Sequence, residues 1–401
     1  MKHFTFYVLL LLLFFILPFS NCHAITLSNK TEISLLTCGP GEELYSIFGH
    51  SAIRVCDSVN NIDRVYNYGT FDFETEHFYL KFAGGRLFYY LNTEEFWGFI
   101  KTYTRENRTV YEQILNLDSI KKQTLYNLLE KNNLPANKFY RYDFFYDNCT
   151  TRIRDILIKA LDNKIDFTAY VPPPIATYRK MISHYIEHLK WTDLGIDLIF
   201  GLPADHKMKQ SEYMFLPIEL MHALDSAHNS VDNAKLVKET KTLYLASNTK
   251  EEAPSPFSPI LFFWLLFALF VLITLFEIWK NINLWILDFL LFFITGLLGL
   301  LVITLSVGST YIALHNNLVV LWAIPLHVIM ALFVARKNSK VIKYYFLFTT
   351  LWNIILLICW YFIPQELNMA TFPFVLLLTI RAFKIYYFKS IEKTRKINTY
   401  Y

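Results

Sequence analysis

The chain has 401 residues, 54% of them hydrophobic, and 38 Lys and Arg against 34 Asp and Glu give a net charge of +4. Most of that excess lies in one loop and the tail of an apolar C-terminal part, so the charge does not indicate nucleic-acid binding. The composition therefore argues against a purely soluble protein, and we expect no nucleic-acid partner.

The N-terminus has the pattern of a secretory signal peptide. Met1-Lys2-His3 give a charged start, an unbroken apolar run covers 4–18, and Cys22-His23-Ala24 end on a small residue suited to cleavage. We expect a signal peptide over 1–24, with an uncleaved N-terminal anchor as the alternative.

The remaining chain divides by composition. Residues 25–253 mix charged, polar and apolar residues like a soluble domain and suffice for a single core. Within them 172–245 is mainly helical by pattern. A proline-rich linker at 254–259 denies helix and strand continuity. A membrane domain over 260–390 and a basic tail at 391–401 follow.

Five apolar runs after the linker are each near the length needed to cross a bilayer. They cover 260–279, 283–305, 318–335, 342–363 and 371–388. The basic residues of this part are Lys280, Arg336, Lys337, Lys340, Lys343, Arg381, Lys384, Lys389, Lys393, Arg395 and Lys396. The loops 306–317 and 364–370 contain no lysine or arginine. Under the positive-inside rule, the basic loops and the C-terminus are cytoplasmic and the N-terminal domain lies outside.

The segment Phe48-Gly49-His50-Ser51-Ala52-Ile53-Arg54-Val55 is the first that carries chemistry. It belongs to an alternating strand, and the turn-rich 57–61 and a second strand at 64–68 follow it. This order predicts a β-hairpin with a longer loop.

Alternation on this strand places His50, Ala52 and Arg54 on one face. A neighbouring strand then offers Asn67, or the following Asp72, to orient the His50 imidazole. Arg54 is either a contact for a phosphate head group or a solvated strand arginine.

The second segment, Tyr146 to Asp155, predicts a helix that begins at Cys149. Asp147 and Asn148 are good N-cap residues. The positions that share one apolar helical face are Ile153, Ile156, Leu157 and Ala160. A cysteine in the first turn of a helix feels the positive end of the helix dipole, which favours the thiolate.

Cys149 and His50 together suggest a nucleophile and its base. A histidine within reach can take the thiol proton and return it, and helix-start amides can hold an oxyanion. Singly, a strand histidine is more often structural, and a cysteine of a secreted domain is usually half of a disulfide.

The cysteine count bears on that choice. Of the five cysteines, Cys38, Cys56 and Cys149 lie in the outer domain, which leaves one unpaired. Cys38 and Cys56 either pair with each other or are buried small residues. Because neither a C-x-x-C nor an H-E-x-x-H spacing occurs, we expect no metal site.

These motifs and their order resemble the bacterial Lnb family over nearly all of the mature chain. In the outer domain the matching stretches are Leu35 to Tyr45, Phe48 to Arg54, Val65 to Gly69, Asp147 to Thr151, Trp191 to Asp197, Gly201 to Asp205 and Phe215 to Pro217. In the membrane part they are His315-Asn316-Asn317 and Trp322 to Leu326. The family pattern has a proline after the histidine, where this chain has Asn316.

The resemblance implies an α+β fold: a circularly permuted papain-like (NlpC/P60-like) domain followed by a five-helix transmembrane domain in the bacterial inner membrane. It also implies lipoprotein N-acyltransfer without a cofactor. Cys149 would take an acyl chain from a phospholipid as a thioester and pass it to the α-amine of a diacylated lipoprotein. His50 would be the base and Asn67 the third catalytic residue. The expected substrate-binding residues are Arg54, Tyr66, Asn148 and His315.

Two other functions stay open. A thiol amidase or peptidase of the cell envelope would use the same Cys149 and His50 but give the acyl group to water. A non-catalytic assembly factor would use the domain only to bind a partner. The aromatic segments 71–73 and 88–90 either line an acyl groove or belong to the ordinary core.

Overall fold

A computed structural model describes residues 25–247, 257–336 and 339–398, with side chains up to 391. The expected signal peptide and most of the linker lie outside these ranges. So do the side chains of the tail from residue 392 onward.

A seven-stranded antiparallel sheet with the strand order β6-β4-β3-β2-β1-β5-β9 is the base of the N-terminal domain. The strands are β1 Glu32–Cys38, β2 His50–Asp57, β3 Ile62–Thr70, β4 Phe88–Glu95, β5 Val110–Leu115, β6 Phe139–Arg141, β7 Ile165–Asp166, β8 His228–Asn229 and β9 Val237–Tyr244, with β7 and β8 in a separate ladder. The helices are α1 Phe78–Ala83, α2 Phe96–Arg105, α3 Ser119–Asn133, α4 Cys149–Ala160, α5 Tyr178–Tyr185, α6 Lys190–Ile199 and α7 Pro217–Ser226.

The predicted hairpin is confirmed as β2 and β3, which pair antiparallel. Alternation along β2 is also as expected, because Ile53 and Val55 enter the large core whereas Ala52 enters a smaller cluster on the opposite face. The expectation of mainly helical structure over 172–245 is wrong after Ser226. There β9 pairs with β5, and its exposed charged residues suit the edge of a sheet.

Within the described residues of the C-terminal part, four helices are long and apolar enough to cross a membrane. They are α8 Pro259–Lys280, α9 Trp285–Gly308, α11 Lys340–Ile358 and α12 Thr371–Asn398. The third predicted span, 318–335, is not one continuous helix: a 3₁₀ turn at Leu318–Leu321 and the short helix α10 His327–Leu332 occupy it.

This broken segment still passes from one end of the bundle to the other. Thr310, before it, donates its N–H to the carbonyl of Gly84 in the N-terminal domain. Arg336, after it, accepts at its carbonyl from Lys389 near the far end of α12. Glycines of α9 make this path possible, because a Cβ on Gly299 would collide with the Ala323 carbonyl oxygen. The backbone of the break therefore lies directly against α9.

Two of the basic residues used to predict the topology lie inside the helix bundle. Arg381 and Lys384 lie inside α12, where they pair with Glu277 of α8 and Asp288 of α9, and all four side chains are buried. These ion pairs join α8, α9 and α12. Buried and paired cations do not indicate which side of the membrane is cytoplasmic. The prediction that the basic loops and the C-terminus are cytoplasmic therefore depends on the remaining basic residues.

Hydrogen bonds join the two parts of the molecule. Gln365 donates to the Phe200 carbonyl at 3.0 Å, and Asn317 donates to the Leu198 carbonyl at 2.9 Å. Asn368 donates to the Asp197 carboxylate at 2.9 Å. The loops between spans therefore fix the sheet domain on the bundle.

Candidate active site

Cys149 is the first residue of α4, as the sequence predicted. The N-cap is Asn148, whose Oδ1 accepts from the amides of Thr150 and Thr151, both at 2.9 Å. Its Nδ2 donates to the buried carbonyl of Phe215 at 2.9 Å. Asn148 was expected to bind substrate, and in the structure its side chain caps the helix and fixes the helix start. The N–H of Cys149, at the first helical position, has no acceptor within the helix and is a candidate oxyanion donor.

The Cys149 thiol lies in a nearly closed environment, with the residue 8% exposed. Burial raises the pKa of this thiol, but the charge of His50 and hydrogen bonds with His50, the Ser51 amide and the Thr150 hydroxyl outweigh burial, so the pKa is lowered. A lowered pKa enlarges the thiolate fraction, which is the nucleophilic form.

The side-chain amide of Asn67 contacts the His50 imidazole. Its Nε2 lies 3.2 Å from Asn67 Oδ1, while Asn67 Nδ2 donates to Glu94 Oε1 at 2.8 Å. Because the Asn67 amide donates to Glu94, its oxygen faces His50, and Nε2 must then carry the imidazole proton. That tautomer leaves Nδ1 free to accept the proton of Cys149.

Two further residues, Tyr103 and Gly69, lie beside His50 and Cys149. Tyr103 of α2 stacks on the His50 ring, with 6.4 Å between centroids and 9° between planes. Gly69 lies at an irregularity in the β3–β4 pairing with φ +86°, and a Cβ there would be 3.4 Å from the Cys149 Cβ. A side chain at position 69 would therefore crowd the thiol.

Arg54, an expected substrate-binding residue, has partners within the sheet domain. Its guanidinium binds the Asp63 carboxylate at 2.7 Å and that of Glu112 at 3.0 Å, and it lies 3.5 Å from the Phe96 ring centroid. Each guanidinium nitrogen donates to one of these two carboxylates, so a phosphate would have to compete with both.

Tyr66, another expected substrate-binding residue, lies in the core of the sheet domain. Its side chain is fully buried in the large core, where the hydroxyl donates to Glu130 Oε1 at 2.5 Å. Odd and even positions of β3 point to opposite faces, so Tyr66 points away from the face that carries Asn67.

His315 lies at the junction of the two parts. Its Nε2 is 2.9 Å from the Ser309 carbonyl oxygen, and its own carbonyl abuts Gly201. These contacts hold a connecting loop and bring it to neither Cys149 nor His50. Asp72, the alternative orienting residue, is exposed and accepts from the Glu74 amide at 2.8 Å.

A disulfide between Cys38 and Cys56 does not form. The β1–β2 register sets Cys38 opposite His50 and Cys56 opposite Glu32, at the two ends of the ladder. Both thiols are free, and burial raises the pKa of each. Cys149 is thus the thiol of the described outer domain whose pKa is lowered.

Glu94 and Tyr103 were missed by sequence reasoning. Glu94 reaches Asn67 only because β4 pairs with β3, which sets Asn92 opposite Asn67 and Glu94 one diagonal step away. The strand pattern of 88–95 was visible in the sequence, but its partner strand and register were not.

Two family models match the chain. The model of the Lnb N-terminal periplasmic domain matches residues 19–184, and that of the Lnb transmembrane domain matches residues 250–393. No curated protein and no solved structure gives a significant match. The two models follow each other in the order periplasmic domain, then transmembrane domain, as in an inner-membrane protein. Since they cover more than three quarters of its length between them, the chain belongs to the Lnb family.

Proposed function

We propose that this protein transfers an acyl chain from a membrane phospholipid, through a thioester on Cys149, to the α-amine of a diacylglyceryl-cysteine at a lipoprotein N-terminus. The observation that carries this proposal is a thiol of lowered pKa at a helix start, beside a histidine that Asn67 orients. The C-terminus is cytoplasmic in this proposal.

In the first half-reaction Cys149 attacks the ester carbonyl of the phospholipid. The thiol proton passes to His50 Nδ1, and the carbonyl oxygen becomes an oxyanion beside the Cys149 amide. Collapse breaks the ester C–O bond, and His50 returns the proton to the leaving alkoxide. The products are a thioester and a lysophospholipid.

In the second half-reaction the α-amine attacks the thioester carbonyl. His50 takes a proton from the amine nitrogen as the C–N bond forms, and the C–S bond breaks to release the Cys149 thiolate. An amide is formed, and return of the proton from His50 to the Cys149 thiolate restores the starting state. The cycle needs no oxidant, metal or other cofactor to balance.

Attachment to the membrane supports lipids as both substrates. The domain that carries the thiol is tied to the bundle through Gln365, Asn317 and Asn368, so the thiol stays beside the bilayer in which both lipids are anchored. Holding both reactants beside the nucleophile lowers the entropic barrier of each half-reaction.

Mass spectrometry of a lipoprotein N-terminus tests the proposal, in cells that depend on this chain alone for N-acylation. Wild type is compared with Cys149→Ala and with Cys56→Ala, a matched change of a free cysteine in the same domain. We expect a third acyl chain with wild type and Cys56→Ala, and none with Cys149→Ala.

Two results would contradict this expectation. A lipoprotein that stays diacylated with wild type would refute the acceptor and favour a thiol hydrolase. Acylation that survives in Cys149→Ala would refute the nucleophile and favour a non-catalytic role for the domain.

A further inference from the structure

An exposed apolar surface surrounds the short helix α1. Its members, which we call the α1 patch, are Phe73, Tyr79, Leu80 and Phe82, exposed by 60%, 82%, 76% and 37%. Large side chains exposed next to one another mark an interaction surface rather than ordinary protein surface.

The α1 patch lies at the level where a membrane span ends. The helix α9 ends at Gly308, and two residues later Thr310 donates its N–H to the Gly84 carbonyl at 3.0 Å and its hydroxyl to the Gly85 carbonyl at 2.7 Å. Gly84 directly follows α1, so the patch is tied to the outer end of a span. Tyrosine and other amphipathic side chains favour this interfacial level of a bilayer.

An unbroken series of aromatic rings leads from the patch to the nucleophile. Phe73 lies 4.8 Å from Phe71, Phe71 lies 5.3 Å from Tyr89, and Tyr89 lies 4.4 Å from Tyr142, all measured between ring centroids. Tyr142 and Cys149 flank Gly69: a Cβ at position 69 would lie 3.5 Å from the Tyr142 ring and 3.4 Å from the Cys149 Cβ. A branch from Phe82 reaches Tyr311 of the membrane part at 6.3 Å.

From these three observations we infer that the α1 patch inserts into the outer surface of the phospholipid bilayer and delivers the phospholipid acyl ester along the aromatic series to Cys149. The inference rests on the proposed acyl transfer and adds the route of the donor. Apolar chains can follow aromatic side chains without loss of contact with apolar surface. Lys81 and Arg86 beside the patch carry charges suited to anionic head groups.

Photo-crosslinking tests the membrane contact without using activity. The full-length protein, with p-benzoylphenylalanine in place of Tyr79, is placed in nanodiscs of phosphatidylethanolamine and phosphatidylglycerol and irradiated. The control carries the same group in place of Ile120, which is 75% exposed on α3. We expect phospholipid adducts by mass spectrometry at position 79 and none at 120. Absence of adducts at 79, or equal labelling at both positions, overturns the inference.

Kinetics of thioester formation test the route. The Tyr79→Ser/Leu80→Ser double variant loses the apolar contact, so we expect acylation of Cys149 from nanodisc phospholipid to slow about tenfold or more. Ile120→Ser should keep the wild-type rate, and iodoacetamide should alkylate Cys149 equally in all three proteins, which shows that the site is folded. Acylation of the double variant at the wild-type rate overturns the route.

The two failures are distinguishable. If the wild-type protein forms no thioester from phospholipid, the proposed function fails while crosslinking at position 79 still decides the membrane contact.

Discussion

Asn67 presents its side-chain oxygen to His50 Nε2 at 3.2 Å and therefore determines which imidazole nitrogen carries the proton when His50 is neutral. The same amide is anchored by Glu94 at 2.8 Å. The imidazole orientation thus depends on two neighbouring strands, β3 and β4, and not on the strand that carries His50.

Replacing Asn67 tests this orientation. Because misplacement of a reacting group by about 1 Å can cost about 10²-fold in rate, Asn67→Ala should slow acylation of Cys149 by about 10²-fold while the melting temperature changes little. Glu94→Gln should retain most of the activity, since the side-chain oxygen of the new amide still accepts from Asn67. The rate of thioester formation is measured by intact-protein mass. An Asn67→Ala protein with the wild-type rate would show that the amide has no orienting role.

The pH dependence of Cys149 reactivity follows from the direction of its pKa shift. The lowered pKa means that the thiolate is present at pH values below the ordinary thiol range and is lost as pH falls through the folded-state pKa. In His50→Gln, burial still raises the pKa of the Cys149 thiol. The charge of His50, which is the largest cause that lowers this pKa, is removed, so the pKa should rise. The rate of iodoacetamide alkylation at Cys149, measured against pH by peptide mapping, should shift to higher pH. An unshifted profile would mean that His50 does not stabilise the thiolate.

The broken third crossing depends on close backbone approach to α9. Gly299→Ala places a methyl group against the Ala323 carbonyl, whereas nothing lies within 4 Å of a Cβ on Gly308. We expect Gly299→Ala to destabilise the fold by about 1–3 kcal/mol or more, as overpacking does, and Gly308→Ala to have little effect. Thermal unfolding in detergent measures both. Equal melting temperatures for the two variants would contradict the close approach.

The buried charges of the bundle should be costly to disrupt singly. Arg381→Ala leaves Glu277 and Asp288 with one cation, Lys384, and removing one partner of a buried ion pair typically destabilises by about 3–5 kcal/mol. The control is Lys180→Ala, whose pair with Glu366 is 53% and 54% exposed, so its effect should stay within about 1 kcal/mol. Thermal unfolding in detergent measures both variants. A melting temperature that falls in Lys180→Ala but not in Arg381→Ala would refute the structural importance of the buried charges.

Local pattern was enough to predict the parts of the site that depend on one element. Alternation predicted the face of His50, and the cap and apolar spacing predicted that α4 begins near Cys149. Asn67 was named as the orienting residue because the hairpin joins its strand directly to that of His50. No local signal fixed the partner of β4, so Glu94 was missed.

Composition predicted where the apolar segments of the membrane part lie, but not the backbone structure of each. Hydropathy indicates whether a segment suits a bilayer but does not distinguish a continuous helix from a broken one. The third run was apolar enough, yet its backbone follows the groove left by Gly296 and Gly299. Residue type alone also does not show that Asp63 and Glu112 bind Arg54, or that Glu130 accepts from Tyr66.

The hydrogen bonds through Gln365, Asn317 and Asn368 also bear on the kinetics. In an anchored catalytic domain the thiol stays at one distance from the bilayer. The donor and acceptor lipids must therefore occupy the same position beside the thiol, one after the other. On the proposed chemistry the lysophospholipid has to leave before the lipoprotein arrives, and the enzyme should follow ping-pong kinetics, with parallel double-reciprocal lines for its two lipid substrates.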